Sequence, residues 1–279
     1  QLFLTQPTIS AHISSLEKEL NARLFVRNTK EVRLSDDGKE LYRYARQMID
    51  LQKKIEERFE TGKEESKHLI TIAASTIPAQ YLLPKILMKF NERYPKEQVK
   101  LIETDSSQVV TQIIDHMVDV GFTGTVLEKK HCKYIPFYKD ELVVITPNTE
   151  KYQVLHQNQE DVSWISGERL IMREEGSGTR KEAGKQLRNA GINLDKLKII
   201  ASIENQETIK KSVKQGMGIS IISRLAAEEE AKSGDLLTFP IPKADQGRDI
   251  NLVYNKNYQM SKSAERFVKV VKEVYGIEE

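Results

Sequence analysis

The stretch from residue 4 to residue 38 restricts the fold of this chain more than any other part of it. Pro7 presets the backbone φ angle of a helix for which Thr5 would be the N-terminal cap. The apolar residues that follow are spaced by three and four, which places them on one buried helical face. These residues are Ile9, Ile13, Leu16 and Leu20. The opposite face carries small, mostly neutral side chains, so its first turns are narrow enough to enter a major groove.

A short hairpin is predicted directly after this helix. Leu24 and Phe25 return to the core, and residues 27–35 alternate between apolar and polar side chains. The inward-facing positions are Val32 and Leu34, and the outward-facing positions are Lys30 and Arg33. A helix followed by a basic hairpin is the order of a winged helix-turn-helix.

Three ordered motifs in this stretch resemble those of the LysR-type transcriptional regulators. The family carries Ser/Thr-Gln-Pro, then Leu-Glu-x-x-Leu-Gly-x-x-Leu-Phe-x-Arg, then Leu-Thr-x-x-Gly. Here these motifs read TQP at residues 5–7, LEKELNARLFVR at 16–27 and LSDDG at 34–38. Asn21 stands where the family usually has glycine. Because Asn tolerates the left-handed backbone conformation, we expect the turn to be kept.

The resemblance implies that residues 1–37 belong to a DNA-binding domain. Since the family has one whole helix and most of another before the position of Thr5, it also implies that this domain is incomplete here. The side chains expected to approach base edges are Gln6, Pro7, Thr8, Ser10 and Ala11. Those expected to contact phosphates are Arg27, Lys30 and Arg33.

Length and composition limit the remaining function classes. A chain of 279 residues predicts two or three folding units. A formal net charge of +2 argues against coating DNA or membrane by bulk electrostatics, so DNA contact would depend on individual side chains. The single cysteine, Cys132, excludes a disulfide framework and suits a reducing cytoplasm. No apolar run has the length of a membrane-spanning helix, so we expect a soluble cytoplasmic protein without a membrane partner.

A long and narrow apolar stripe follows from residue 36. Its spacing predicts a helix of about seven turns that ends near residue 60. The stripe consists of Leu41, Tyr44, Met48, Leu51, Ile55 and Phe59. Charged side chains flank it as they flank a coiled-coil seam, so we interpret residues 38–67 as a dimerisation helix followed by a polar hinge. An amphipathic helix that lies on its own domain is the alternative, but the resemblance also implies a homodimer or homotetramer.

From residue 68 onward, predicted strands alternate with predicted helices, which is the signature of α/β units. We predict an effector region over 68–279 that consists of two Rossmann-like subdomains. Lobe I would comprise about 68–142 and 245–279, and lobe II about 143–244. A final helix that returns to the first subdomain is typical of type II periplasmic-binding proteins, and the resemblance implies the same fold.

Polar turns between strands and helices should meet at the carboxyl ends of the strands, where open α/β sheets bind ligands. The predicted effector-binding residues are Ser75, Thr76, Thr123, Ser177, Gly178, Thr179, Arg180 and Gln206. The turn EEGSGTR at 174–180 is the strongest candidate for a ligand-binding turn. Its glycines let a ligand approach the backbone, the helix that follows offers free N–H groups, and Arg180 adds a cation. An anion is therefore expected. The alternative is that Ser177 or Thr179 only caps its helix.

Within the family, this constellation resembles the branch that controls sulfur and cysteine metabolism, whose effectors are small anions or small polar metabolites. Sulfate is accordingly a candidate effector. Four carboxylates lie near the predicted turns, and a zwitterion or an amine would be favoured if they face the ligand. They are Glu103, Asp105, Glu174 and Glu175.

Neither a catalytic nor a metal-binding pattern is present in the sequence. The five histidines show no metal-ligand spacing with each other or with Cys132. Walker loops and nucleophile elbows are also missing, so no enzyme, cofactor or metal is expected. We predict a ligand-responsive transcriptional regulator that binds double-stranded operator DNA and a small effector, with RNA polymerase as a possible further partner. The alternative is a solute-binding protein without a role on DNA, against which residues 5–34 argue.

Overall fold

The computed structural model describes residues 5–27, 32–59, 69–158, 162–241 and 247–277. The chain forms two compact units, Gln1–Ser66 and Lys67–Glu279, and each is described by itself. Within the described ranges, every helix is too short or too polar to cross a membrane.

The N-terminal unit has the predicted order of helix, hairpin and helix. Its elements are α1 (Gln6–Glu19), β1 (Phe25–Arg27), β2 (Val32–Leu34) and α2 (Asp36–Phe59). Strands β1 and β2 pair antiparallel. Asn21, just beyond α1, has a φ of +49°, so the predicted left-handed turn is confirmed.

Side chains of the recognised motifs hold this unit together. Glu17 Oε1 accepts hydrogen bonds from the backbone N–H groups of Leu24, at 2.7 Å, and Phe25, at 3.2 Å. Ser35 Oγ accepts a hydrogen bond of 2.9 Å from the N–H of Gly38 and so caps α2. The motif residues therefore satisfy backbone groups that the turns would otherwise leave unpaired.

Thr5 occupies the predicted N-cap position, although its hydroxyl bonds that of Thr8 at 2.9 Å and makes no bond to a backbone N–H. Two other side-chain predictions for this unit are wrong. Among the described residues of α1 none is buried, and Ile9 and Leu20 are exposed. The two strands of the hairpin have only three residues each and cannot cover that face. Val32 is also exposed, because it pairs with residue 27 at the far end of the ladder from Leu24.

The C-terminal unit contains the remaining elements. Its strands are β3 (Leu69–Ala74), β4 (Gln98–Glu103), β5 (Val120–Thr123), β6 (Cys132–Asp140), β7 (Leu142–Pro147), β8 (Arg169–Met172), β9 (Lys198–Ser202), β10 (Ile219–Ser223), β11 (Leu236–Pro240) and β12 (Arg248–Asn255). Its α-helices are α3 (Leu83–Arg93), α4 (Ser106–Ile114), α5 (Glu150–Gln157), α6 (Gly178–Asn189), α7 (Gln206–Lys214), α8 (Arg224–Ser233) and α9 (Lys262–Tyr275). A π-helical turn (Pro78–Leu82) precedes α3, and 3₁₀ turns span Val162–Gly167 and Leu194–Lys196.

Lobe I is built on the sheet with strand order β4-β3-β5-β12-β6. Strands β4, β3 and β5 run parallel, whereas β12 pairs antiparallel with both β5 and β6. Helices α3 and α9 pack on it, and Phe90 and Phe267 meet with ring centroids 5.0 Å apart. The parallel strands direct their carboxyl ends, and the turns that follow them, to one edge of the lobe.

Lobe II is built on the sheet with strand order β11-β7-β10-β8-β9. Strands β10, β8 and β9 run parallel, and β7 pairs antiparallel with β10 and β11. The chain passes from lobe I to lobe II between β6 and β7, where Glu141 is the one connecting residue, and returns between β11 and β12. Two α/β lobes joined by two crossovers form the predicted type II periplasmic-binding-protein fold.

Candidate functional site

A small polar cavity of about 10 Å³ lies between the two lobes. Its walls come from the turns after β3, β4, β5 and β8 and from the start of β12. The polar and glycine residues that line it are Ser75, Thr76, Asp105, Ser106, Gly124, Arg173, Ser177, Gly178, Thr179 and Arg248. Because a single water needs roughly this volume, the observed conformation admits only a very small group unless the lobes open.

Three helix starts converge on this cavity: the π turn at Pro78, α4 at Ser106 and α6 at Gly178. Asp105 Oδ1 caps α4 by accepting hydrogen bonds from the N–H groups of Ser107 and Gln108. Ser177 Oγ accepts a long hydrogen bond of 3.4 Å from the N–H of Arg180. Ser177 therefore both caps its helix and lines the cavity. The first N–H groups of α6 form the positive end of the helix dipole at the cavity, which favours an anion there.

The lobes approach closely at Gly178. A Cβ at this position would lie 2.8 Å from Ser106 Oγ, which belongs to lobe I. Ser106 is buried, and its hydroxyl has no hydrogen-bond partner among the described residues. A buried unpaired hydroxyl is costly, so this one is available to a ligand or a water in the cavity.

Arg173 connects the two lobes across the cavity. It follows β8 directly and is buried. Its Nη2 donates to Thr76 Oγ1 of lobe I at 3.3 Å and to Glu174 Oε1 at 2.8 Å, and its Nε donates to Glu174 Oε2 at 2.7 Å. The guanidinium is therefore held in place by a carboxylate on its own turn.

Arg248, the first residue of β12, is the second buried arginine of the cavity. Its Nη1 donates to Thr179 Oγ1 at 3.0 Å, and its Nε donates to Asp140 Oδ2 at 2.9 Å. Nη2 also lies 2.7 Å from Asp140 Oδ2, as an ion pair whose angle does not meet hydrogen-bond geometry. Sequence reasoning missed both arginines, although Arg173 stands directly between a predicted strand and the predicted EEGSGTR turn.

The two guanidinium groups and three carboxylates around the cavity have a formal net charge of −1. Each guanidinium has its own carboxylate, Glu174 for Arg173 and Asp140 for Arg248, and Asp105 adds another negative charge. Of the other carboxylates considered from the sequence, Glu103 accepts a hydrogen bond from Gln80, and Glu175 is exposed and does not line the cavity. The site is therefore polar and rich in donors rather than strongly cationic.

The structure brings five of the predicted effector residues together: Ser75, Thr76, Ser177, Gly178 and Thr179. Three others do not line the cavity. The hydroxyl of Thr123 donates to the carbonyl of Thr125 at 2.9 Å. Arg180 Nη1 donates to the carbonyl of Arg173 at 2.8 Å. Gln206 is buried at the start of α7, where neither amide atom has a partner within the described part of the chain.

The predicted DNA-contacting residues lie at the start of α1. Gln6, Pro7, Ser10 and Ala11 are exposed, and Thr8 is half-buried. The first turn of α1 carries no acidic side chain, so its positive dipole end is not neutralised locally. Arg33 is exposed on β2, whereas the side chain of Arg27 and all of Lys30 lie outside the described residues.

The apolar stripe of α2 is exposed within its own unit. Tyr44, Met48, Leu51 and Ile55 are all at least 47% exposed, and Met48 reaches 72%. Leu41 is half-buried, and the side chain of Phe59 lies outside the described residues. Among the described residues, the stripe is therefore uncovered from Tyr44 to Ile55, which favours pairing with a second copy over a helix that lies on its own domain.

Two family descriptions match the sequence along nearly its whole length. The LysR substrate binding domain matches residues 63–276, and the bacterial regulatory helix-turn-helix protein of the lysR family matches residues 1–39. The chain belongs to the LysR family. It is thus a transcriptional regulator with an effector-binding domain and not an enzyme, and the match to residues 1–39 decides against a solute-binding protein without a role on DNA.

Individual proteins are similar to this chain in sequence or in fold. The transcriptional regulator CysL of Bacillus subtilis is 25% identical, over 99% of this chain and 90% of its own length. CbnR in complex with its target DNA has a TM-score of 0.71 and 18% identity, over 98% of this chain and 91% of that chain. The CcmR regulatory domain of Synechocystis in complex with 2-phosphoglycolate has a TM-score of 0.66 and 24% identity, over 76% of this chain and 99% of that chain.

Proposed function

We propose that this LysR-family regulator binds a small anionic effector in the cavity between its lobes and changes its action on operator DNA in response. One observation carries the proposal: the starts of the π turn, α4 and α6 converge on a single buried cavity that also holds two guanidinium groups. Helix N-termini and arginines are the groups that proteins use to bind carboxylates, sulfates and phosphates.

The size and charge of the cavity limit the effector. Because a volume of about 10 Å³ holds little more than one water, any effector requires the lobes to open, and a compact head group requires a smaller opening than a large metabolite. Because carboxylates offset the charges of Arg173 and Arg248, binding of an anion would depend on hydrogen bonds from individual donors more than on the net charge of the site. Sulfate and thiosulfate are therefore the first candidates, and a zwitterion such as O-acetylserine would place its ammonium group near Asp105. The similarity to CysL and the anionic ligand of the CcmR domain support the search among such compounds.

Binding of this kind acts by shifting a conformational equilibrium. An anion that contacts Thr76 in lobe I and Thr179 in lobe II at the same time binds the closed arrangement better than an open one. A ligand changes the population of a state only to the extent that it prefers that state. Contacts from both lobes provide this preference.

The N-terminal unit is the part of the chain that acts on DNA in this proposal. We infer that α1 enters the major groove, with Gln6, Thr8 and Ser10 near base edges, and that the stripe of α2 pairs with a second copy of the chain. A homodimer or homotetramer would then place two winged helices on a pseudo-palindromic operator. For a regulator that acts on chromosomal DNA we infer a cytoplasmic location, with RNA polymerase as a candidate further partner.

Isothermal titration calorimetry of the full chain with sulfate, thiosulfate and O-acetylserine tests the effector proposal. We expect Ser177→Ala and Thr76→Val to weaken binding about tenfold each, as the loss of one hydrogen bond to a charged group does. Ser233→Ala is the matched control, because this exposed hydroxyl bonds the carbonyl of Glu230 and the carboxylate of Asp235 and does not line the cavity. Absence of binding by the wild-type chain, or equal affinity in all variants, would rule out an anion in this cavity.

A further inference from the structure

We propose that Arg248 contacts the bound anion directly and that its ion pair with Asp140 sets the affinity of the cleft. This inference rests on the effector function proposed above and names the residues that tune it. Neither residue follows a recognisable ligand-binding motif in the sequence. Both become candidates because of where the chain crosses between the lobes.

The two residues lie opposite each other on the connections between the lobes. Asp140 is the last residue of β6, Arg248 is the first residue of β12, and the two are direct partners in the antiparallel ladder. Gly247 holds this register, since its φ is +63° and a Cβ there would lie 2.6 Å from the carbonyl oxygen of Asp140. The pair therefore lies where the chain crosses between the lobes, next to Glu141.

The guanidinium of Arg248 faces the cavity. Its Nη1 donates to the hydroxyl of Thr179, in the first turn of α6. Gly124 leaves room for it, because a Cβ at that position would lie 2.9 Å from Nη1. The hydroxyl of Ser106, which has no partner in the described part of the chain, lines the same cavity. An anion at the start of α6 would thus find a guanidinium, a free hydroxyl and helix N–H groups around it.

Asp140 links this guanidinium to lobe II. Its Oδ2 accepts from Arg248, and its Oδ1 accepts a hydrogen bond of 2.5 Å from the hydroxyl of Ser223. Ser223 Oγ in turn caps α8 by accepting from the N–H of Leu225 at 3.2 Å. The side chain of Asp140 is 0% exposed. Asp140 is therefore the buried counter-charge that offsets the cost of burying the positive charge of Arg248 when the cavity holds no anion.

Asp140 and the effector therefore compete for the same cation. In the empty protein Asp140 neutralises Arg248, and a bound anion must share the guanidinium with it. This competition lowers the affinity for the anion and so keeps binding reversible. Removing the negative charge of Asp140 should leave Arg248 dependent on an external anion.

The test uses the full chain, with sulfate and thiosulfate as probes in calorimetry and in thermal unfolding. For Asp140→Asn we expect a lower Tm without anion, a larger rise in Tm on adding sulfate than in wild type, and a Kd about tenfold tighter. For Arg248→Gln we expect at least a tenfold loss of affinity, and for Arg248→Lys a smaller loss. Glu141→Gln is the matched control, since Glu141 is the next residue and pairs with exposed Arg224 at 2.7 Å.

The outcomes separate this inference from the function on which it rests. If neither probe binds the wild-type chain, the proposed anion effector fails and the inference fails with it. If the wild type binds and Arg248→Gln binds equally well, the role of Arg248 alone is overturned. A lower Tm of Asp140→Asn with an unchanged response to sulfate would show a purely structural pair. If Asp140→Asn does not fold, Arg248→Gln decides, because unchanged affinity in that variant contradicts direct contact.

Discussion

Gly38 lies directly against the backbone carbonyl of Leu24: a Cβ on Gly38 would stand 2.0 Å from that oxygen. Leu24 is the buried residue of the turn between α1 and the hairpin, and Gly38 is in the first turn of α2. The glycine of the Leu-Ser-x-x-Gly motif therefore allows a close approach between two segments of the N-terminal unit.

Gly38→Ala should destabilise this unit, because the methyl group forces the backbone apart at a point where no flexible side chain can yield. We expect a loss of about 1–3 kcal/mol in the free energy of unfolding of the N-terminal unit, measured by denaturant titration, together with weaker operator binding. Gly167→Ala is the control, since a Cβ there meets nothing within 4 Å. Equal stability of the two variants would contradict the close packing.

Gln6→Ala and Arg33→Ala should affect operator binding in different ways. Loss of a base-edge contact relaxes preference at one base pair, at a cost of about 1–3 kcal/mol on the preferred sequence. Loss of a phosphate contact weakens binding to all sequences alike. It also reduces the slope of the logarithm of the binding constant against the logarithm of the salt concentration by about 1. Binding measured on operator and mutated operators at several salt concentrations separates the two. Retained sequence preference in Gln6→Ala would show that Gln6 is not a recognition residue.

Leu51→Glu should shift the protein toward monomers, because a charge would enter the apolar seam proposed for α2. Met48 and Leu51 of this stripe are 72% and 58% exposed. Burial of such side chains against a second copy of the chain stabilises a dimer. Sedimentation velocity of the full chain measures the change. Arg46→Gln, an exposed position on the same helix, should keep the wild-type mass. An unchanged mass in Leu51→Glu would place the oligomer interface elsewhere.

Cys132 should react slowly with thiol reagents at pH 8 in the folded protein. Burial, with a smaller effect of nearby Glu128, raises the pKa of its thiol from 9.0 to about 11, so very little thiolate is present. After unfolding, the pKa returns toward 9.0 and the reaction should accelerate. For the same reason the thiol contributes stability below pH 9 that is lost as the pH rises from about 9 to 11. Fast labelling of native protein with Ellman's reagent would contradict the burial of this residue.

Local patterns sufficed to predict most of the effector-binding fold. The sequence predicts a helix over 206–214 and a strand over 219–223, and α7 and β10 have these bounds, because α7 has a clear apolar face and β10 is a run of buried residues between a glycine and a cap. Helix α8 was not predicted. Its buried residues include Ala226 and Ala227, whose small side chains give a weak periodic signal, and three glutamates follow them.

The cavity could be predicted only in part, because its turns are local features and its arginines are not. Ser177 and Thr179 belong to a strand-to-helix turn that the sequence displays. Arg248 reaches the same place because β12 pairs with β6 in one particular register, which no local pattern reveals. Conversely, Arg180 is on the predicted turn, but the direction of its side chain sends it to the carbonyl of Arg173.

The single residue between β6 and β7 restricts how a signal can leave the cleft. A connection as short as Glu141 cannot lengthen, so the lobes are unable to draw apart at that point and can only turn about it. Whatever the effector, its binding therefore changes the angle between the lobes and not their separation at Glu141. A regulator built in this way responds to its ligand by a hinge rotation of the lobes, and its sensitivity to the ligand depends on the stiffness of that hinge.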